Sequence, residues 1–195
     1  MKFFIKTIYL IFTLSLFLLS STKGFSRDDV NKHTKEEVSN YLSGVLSLNQ
    51  NNIEKSFHYF NKTKSLKKIH LNYNVNFIRS LILLGKFEEA FAFANSIWKE
   101  SEFFFEVDLL LGLEAFIEKD FKNAEKYFAR INNISFSNYL FEDFFGNILI
   151  SWIKASENKK AESFEYINKI PKRYKNLNLI NESFLNCYFG TEETE

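Results

Sequence analysis

One phrase of this chain occurs twice, and its spacing constrains the fold more than any other feature. Leu84-Gly-Lys-Phe-Glu-Glu-Ala90 returns as Glu118-Lys-Asp-Phe-Lys-Asn-Ala124, so Phe87 and Phe121, and likewise Ala90 and Ala124, stand 34 residues apart. The same step back from Ala90 reaches Ser56, with Ile53 in the place of Phe87. A period of this length marks stacked helix-turn-helix units, each burying its apolar face only against its neighbours.

Composition agrees with an all-helical chain. Hydrophobic residues make up 46% and charged residues 25%, the globular range. Six Gly and one Pro are too few for a turn-rich β-protein. The 24 Phe act as core filler in the place of Leu. Cys187 is the only cysteine, so no intrachain disulfide forms and stability must come from packing.

Residues 1–26 stand apart from the fold. Lys2 and Lys6 give a basic start, Ile8 to Leu19 is an apolar run, and Ser20 to Ser26 is mostly small and polar. That is the three-part plan of a secretory signal, with cleavage expected after Ser26 or after Gly24. The apolar run is shorter than the roughly 20 residues of a membrane-spanning helix. The alternative is an uncleaved anchor formed by residues 3–19, which would be the chain's one contact with a membrane. Removing residues 1–26 removes three Lys and no acid from 25 against 24, leaving a net charge of −2. Nothing in that balance draws the chain to nucleic acid or anionic lipid. The expected location is the periplasm or cell envelope.

Beyond a polar leader at 27–35, the pattern predicts helix after helix. Thr34 with Glu37 three residues on is a capping box, so the first helix starts at Lys35 or Glu36. Val38, Tyr41, Leu42, Val45, Leu46 and Leu48 come next at helical spacing. The repeat domain runs over 36–189, in units of about 37–70, 71–104, 105–138 and 139–176. A terminal helix covers 177–189, and 190–195 is an acidic tail. Pro171 stops the second helix of the fourth unit.

A 34-residue frame starts at Glu37, Leu71, Phe105 and Tyr139. Its eighth position is Gly44, Ile78, Gly112 and Gly146; its twentieth is Ser56, Ala90, Ala124 and, after a three-residue insertion, Ala161. The twenty-fourth is Phe60, Ala94 and Phe128. Small residues at eight and twenty let the two helices of a unit cross closely. A larger residue at twenty-four is expected to fill the groove toward the next unit, and Ile78 and Ala94 break the pattern.

These columns resemble the tetratricopeptide repeat family, whose motif has Gly at eight, Ala at twenty and Phe at twenty-four. The match covers about Glu37 to Ile170. Three features depart from it: position four is polar (Asn40, Asn74, Asp108, Glu142), Tyr is missing at eleven, and no unit keeps Pro at thirty-two. The layout of a leader feeding such repeats looks like envelope-associated repeat proteins of Gram-negative bacteria. The resemblance implies a right-handed α-solenoid of antiparallel helix pairs whose first helices line a concave face. Positions two, five, nine, twelve and thirteen then point into the groove. At five, nine and twelve this gives Tyr41, Val45 and Leu48; Val75, Arg79 and Ile82; Leu109, Leu113 and Phe116; Asp143, Asn147 and Ile150. A mostly apolar strip of this kind suits an amphipathic helix or an extended peptide. Chaperone-binding relatives grip a C-terminal carboxylate with a cation at position five; Tyr41, Val75, Leu109 and Asp143 supply none.

No catalytic constellation stands out. His33, His58 and His70 have no ligand spacing among themselves or toward Cys187, and a metal site needs three or four converging ligands. Cys187 is expected as a small core residue on the last helix's apolar side. There is no glycine-rich phosphate loop, and no cofactor is expected. The acids Glu100, Glu102, Glu106 and Asp108 straddle a turn and a helix start, where they favour the helix dipole. The reading is a non-catalytic exported scaffold for a protein or peptide partner. A second reading is the N-terminal structural segment of a longer array, because Phe184, Leu185 and Tyr188 form an apolar face on a final helix. An enzyme is the third and has almost nothing in its favour. On this frame Ala124→Phe overpacks the crossing within the third unit and costs about 1–3 kcal/mol. An unchanged thermal unfolding midpoint would show the frame to be out of register.

Overall fold

The computed structural model describes residues 33–133 and 144–190. Residues 1–32 of the expected signal and leader, Asp143 and residues 191–195 of the tail lie outside them, and Lys35, expected to close the leader at 27–35, already belongs to the first helix. The chain divides between Lys35 and Glu36, and the helical body runs from Glu36 onward. Among the described residues there are nine α-helices and no strand. They are α1 (Lys35–Asn49), α2 (Ile53–Asn61), α3 (Leu71–Leu83), α4 (Phe87–Ile97), α5 (Phe105–Ile117), α6 (Phe121–Ile131), α7 (Phe145–Ser156), α8 (Lys160–Asn168) and α9 (Lys175–Tyr188). Short 3-10 turns at Lys64–Lys68 and Lys172–Tyr174 join α2 to α3 and α8 to α9. Helices consecutive in the chain pack on one another from α2 through α9. The fold is an all-α solenoid.

One turn recurs in every pair. Asn51, Gly85, Lys119 and Asn158 all adopt left-handed backbone, at φ 59, 70, 62 and 60°. The next residue's N–H reaches back five residues: Asn52 to Ser47 O, Lys86 to Leu81 O, Asp120 to Ala115 O and Lys159 to Lys154 O, all at 2.8–2.9 Å. This is the Schellman closure, which satisfies carbonyls that a helix end leaves orphaned. Asn52 and Asp120 then cap the second helix by accepting from the backbone N–H of Lys55 and Asn123.

The crossing within a unit is closer than side chains normally permit. A Cβ added to Gly44 would stand 2.6 Å from the Phe60 ring, and one added to Gly112 would stand 2.2 Å from the Phe128 ring. Position twenty-four therefore fills the space over position eight of its own unit, rather than a groove toward the next. Ser56 Oγ ties the same crossing by donating to Gly44 O at 2.9 Å. In the second unit the volumes change places. Ile78 stands at position eight and Ala94 at twenty-four, both fully buried at 1% and 0% exposure. The two apparent lapses in the pattern are one compensated exchange.

The fourth unit enters the frame five residues late, at Phe144 instead of Tyr139, and has no insertion before position twenty. Counted from its left-handed residue Asn158, position eight is Ser151, twenty is Ser163 and twenty-four is Ile167, all at 0% exposure. Ala161, expected at twenty, is exposed. Gly146, expected at eight, instead meets Phe128 O and the Asn132 side chain of the preceding unit. The frame restarts at Phe144, so position four of this unit is Asn147 rather than Glu142.

The polar residues at position four, which depart from the family motif, pin each unit to the turn before it. Asn74 Nδ2 donates to Lys67 O at 3.0 Å, and Asn132 Nδ2 donates to Asn147 Oδ1 at 3.2 Å. Asp108, wholly buried, accepts from Trp98 Nε1 at 3.0 Å and Arg130 Nε at 2.8 Å. The rest of the Arg130 guanidinium donates to the carbonyls of Lys99, Glu100 and Glu102. Its plane lies 5.2 Å from the Trp98 ring and 4.9 Å from that of Phe103. A guanidinium's fixed fork of donors suits this task. Removing one partner of a buried pair leaves the other uncompensated, so Arg130→Met should cost about 3–5 kcal/mol in chemical denaturation. Asp108→Leu combined with Arg130→Met should recover much of that loss. Equal destabilisation by the single and double variants would show that the carbonyl contacts, not the charge pair, carry the effect.

Candidate functional site

The close crossing turns one face of each first helix toward α2, α4, α6 or α8. Of the side chains expected on the concave strip, Tyr41, Val45, Val75, Leu109, Leu113 and Phe116 are half-buried, and Arg79 and Ile82 are exposed. Leu48, Asn147 and Ile150 are buried, at 3%, 7% and 1% exposure, and present nothing to a ligand. For Asn147 and Ile150 the physical reason is the five-residue offset, which rotates α7 and brings Ile148 and Trp152 to positions five and nine. Both are partly buried in the cluster built on Ala155, Ile167 and Leu185. Asp143 lies outside the described residues.

The strip continues onto α9. Leu185 is wholly buried against α8, so at about 100° per residue Ile180, Phe184 and Tyr188 form one stripe along its flank. The Tyr188 ring meets Trp152 edge-on at 5.9 Å, which places that stripe beside the wall of α7. Phe184 is 60% exposed and Tyr188 56%. The apolar face expected of Phe184, Leu185 and Tyr188 is thus divided: Leu185 folds onto the fourth unit and the other two stay exposed. Cys187, expected in the core, is exposed. Leu83 and Ile117, at position thirteen, are also open, at 51% and 70% exposure.

Charge is nearly absent from this surface. Across positions two, five, nine, twelve and thirteen of the described units, Arg79 and Glu106 are the charged side chains. Burial holds the Glu106 carboxyl above the usual carboxylate range. Arg79 is exposed.

Polar clusters elsewhere are already committed to structure. Lys154, buried to 8% exposure, sits among Glu125, Glu157 and Glu162, with Glu125 Oε2 at 2.5 Å and the other Glu125 oxygen accepting from the Tyr166 hydroxyl. Burial pushes its ammonium down and these carboxylates more than reverse that, holding it above the usual lysine range. The cluster fastens α6, α7 and α8 together. A recess of about 630 Å³ lies by Lys67, His70, Asn74, Trp98, Lys99 and Phe104. Here His70 Nδ1 accepts the Tyr73 N–H to cap α3, Lys99 pairs with Glu102, and Lys67 lies over Phe93. No group of three or more metal-ligating side chains converges among the described residues.

Sequence reasoning missed Trp152 and Ile148 because it held unit four to the wrong register. The signal was present: Glu157-Asn158-Lys159 repeats the turn of Asn51-Asn52, and aligning Asn158 to Asn51 sets the offset at five.

The stacked helix pairs define an α-solenoid of tetratricopeptide-repeat type. Solved structures of MamA share this architecture. "MamA 41-end from Desulfovibrio magneticus RS-1" superposes with a TM-score of 0.56 at 10% identity, over 83% of this chain and 99% of that one. A "MamA RS-1 ArsTM double mutant" gives the same values. "Crystal structure of MamA protein" gives 0.57 at 10% identity over 80% and 88%. At that identity the likeness is one of fold. The sequence matches no family model and no curated protein.

The raised Glu106 carboxyl yields a pH test. A carboxyl whose folded-state pKa exceeds its unfolded value of about 4.3 contributes stability below that value and loses it as pH rises through the folded one. Glu106→Gln should therefore raise the melting temperature at pH 7, and the gain should shrink as pH falls toward 4. A gain that is the same at both pH values would mean the side chain acts by packing alone.

Proposed function

We propose that this chain is a non-catalytic scaffold that holds a protein or peptide segment in its concave groove. One observation supports this above the rest: a strip running from Tyr41 on α1 to Tyr188 on α9 keeps apolar side chains partly or largely open to solvent. Contiguous exposed apolar surface is what soluble chains otherwise avoid, and it marks interaction sites. The strip is built on helix faces, with an exposed large side chain at Ile82, Leu83, Ile117, Phe184 and Tyr188. Such spacing suits a ligand with several apolar anchors, either one face of an amphipathic helix or alternate side chains of an extended segment. The polar networks are consumed in holding units together, which favours binding over chemistry. We further propose that it works after export, a reading that rests on the three-part plan of residues 1–26.

Selection of a displayed random-peptide library on the purified protein tests the reading. Ile117→Asp should weaken the selected peptides at least tenfold, because Ile117 is 70% exposed and its loss removes an anchor without emptying the core. Lys122→Asp, an exposed change on α6, should leave them unaffected. Lys126 is a poorer control, since it pairs with Glu100 and covers Trp98. The opposite pattern would move the site to the convex face.

A further inference from the structure

We infer that Arg79 selects the ligand: the groove takes segments in which a single carboxylate is flanked by apolar anchors. This rests on the proposed groove and adds the partner's chemistry. Arg79 occupies position nine of α3, exposed, between Val75 one turn before it and Ile82 and Leu83 one turn after. Among the described residues it makes no ion pair, hydrogen bond or ring contact. The contrast with Arg130 is direct, since that guanidinium has an aspartate, three carbonyls and two rings about it.

An unpartnered cation in an apolar wall acts on ligands in two ways. A purely apolar segment laid across it strips water from the guanidinium and returns nothing, a cost that disfavours such ligands. A segment with one carboxylate at that point forms a charge-assisted, two-pronged pair in surroundings of low polarity. The other charged side chain of the wall, Glu106, is an acid and offers an anion no support. A phosphate would bring about two negative charges to one cation and leave the excess against apolar side chains. A monoanionic carboxylate balances it. The position-five cation of chaperone-type grooves is absent, since Tyr41, Val75, Leu109 and Ile148 stand there. The carboxylate is therefore that of an Asp or Glu side chain within the segment, three or four residues from an apolar anchor in a helix, or two in an extended chain.

The test uses the purified full chain, a displayed random-peptide library, and fluorescence anisotropy on the enriched peptides. Peptides that depend on Ile117 should be enriched in an acid flanked by apolar residues. Arg79→Gln should weaken them roughly 10- to 100-fold while leaving their Asp-to-Asn and Glu-to-Gln counterparts unchanged or tighter. Arg79→Glu should shift a fresh selection toward Lys or Arg at the same place. Ile117-dependent peptides without an acid preference, or with one that survives Arg79→Gln, overturn this inference and leave the proposed groove standing. If no selected peptide depends on Ile117, the proposed groove falls and this inference with it. Peptides whose acid is a free C-terminus would replace the side-chain carboxylate by a terminal one and overturn the inference as stated. Arg79 is exposed, and unchanged helical circular dichroism in both variants separates lost recognition from lost fold.

Discussion

The first and third repeats depend on a ring lying where a side chain would otherwise stand. Phe60 covers Gly44 and Phe128 covers Gly112 at distances that exclude even a methyl group. The axes of the two helices can then approach closely, and the angle between them is set by the fit. What is kept from unit to unit is the summed volume, not the residue. Ile78 with Ala94, and Ser151 with Ile167, fill the same crossing from different sides. Interiors pack like crystals, so volume can move between facing positions but cannot be added. Everything on the opposite side of α1, α3, α5 and α7 depends on this contact, because fixing one face of a helix fixes the other.

Between units the chain uses polar contacts where the family uses a large apolar side chain. Asn74, Asp108 and Asn147 each reach a group of the preceding turn or helix end. A buried pair such as Asp108 with Arg130 is a weak source of stability against well-packed apolar residues, since both charges must lose their water. What it gives is direction: a guanidinium that must satisfy Asp108 and three carbonyls at once allows few arrangements of α5, α6 and the turn at 99–102. The geometry of the concave wall inherits that precision.

The wall itself is chemically sparse, and that sparseness carries meaning. Buried polar groups are spent on caps, turns and latches, so almost none are left for the groove. In the groove we propose, a single exposed guanidinium on an apolar background would have more influence on ligand choice than on a charged surface, where neighbours and salt would mask it.

The sequence by itself determined the period, the helix pairs and the all-α class, because these rest on local rules. Phe87 and Phe121, Ala90 and Ala124, and the small residues at positions eight and twenty recur 34 positions apart and are readable from spacing alone. Tertiary structure alone decided two things. It divided the α9 face, because burial of Leu185 at 0% exposure depends on where α8 lies. It also turned Asp108 and Arg130, far apart in the chain, into a latch. A helix records which of its faces is apolar; only its neighbours decide which faces are covered.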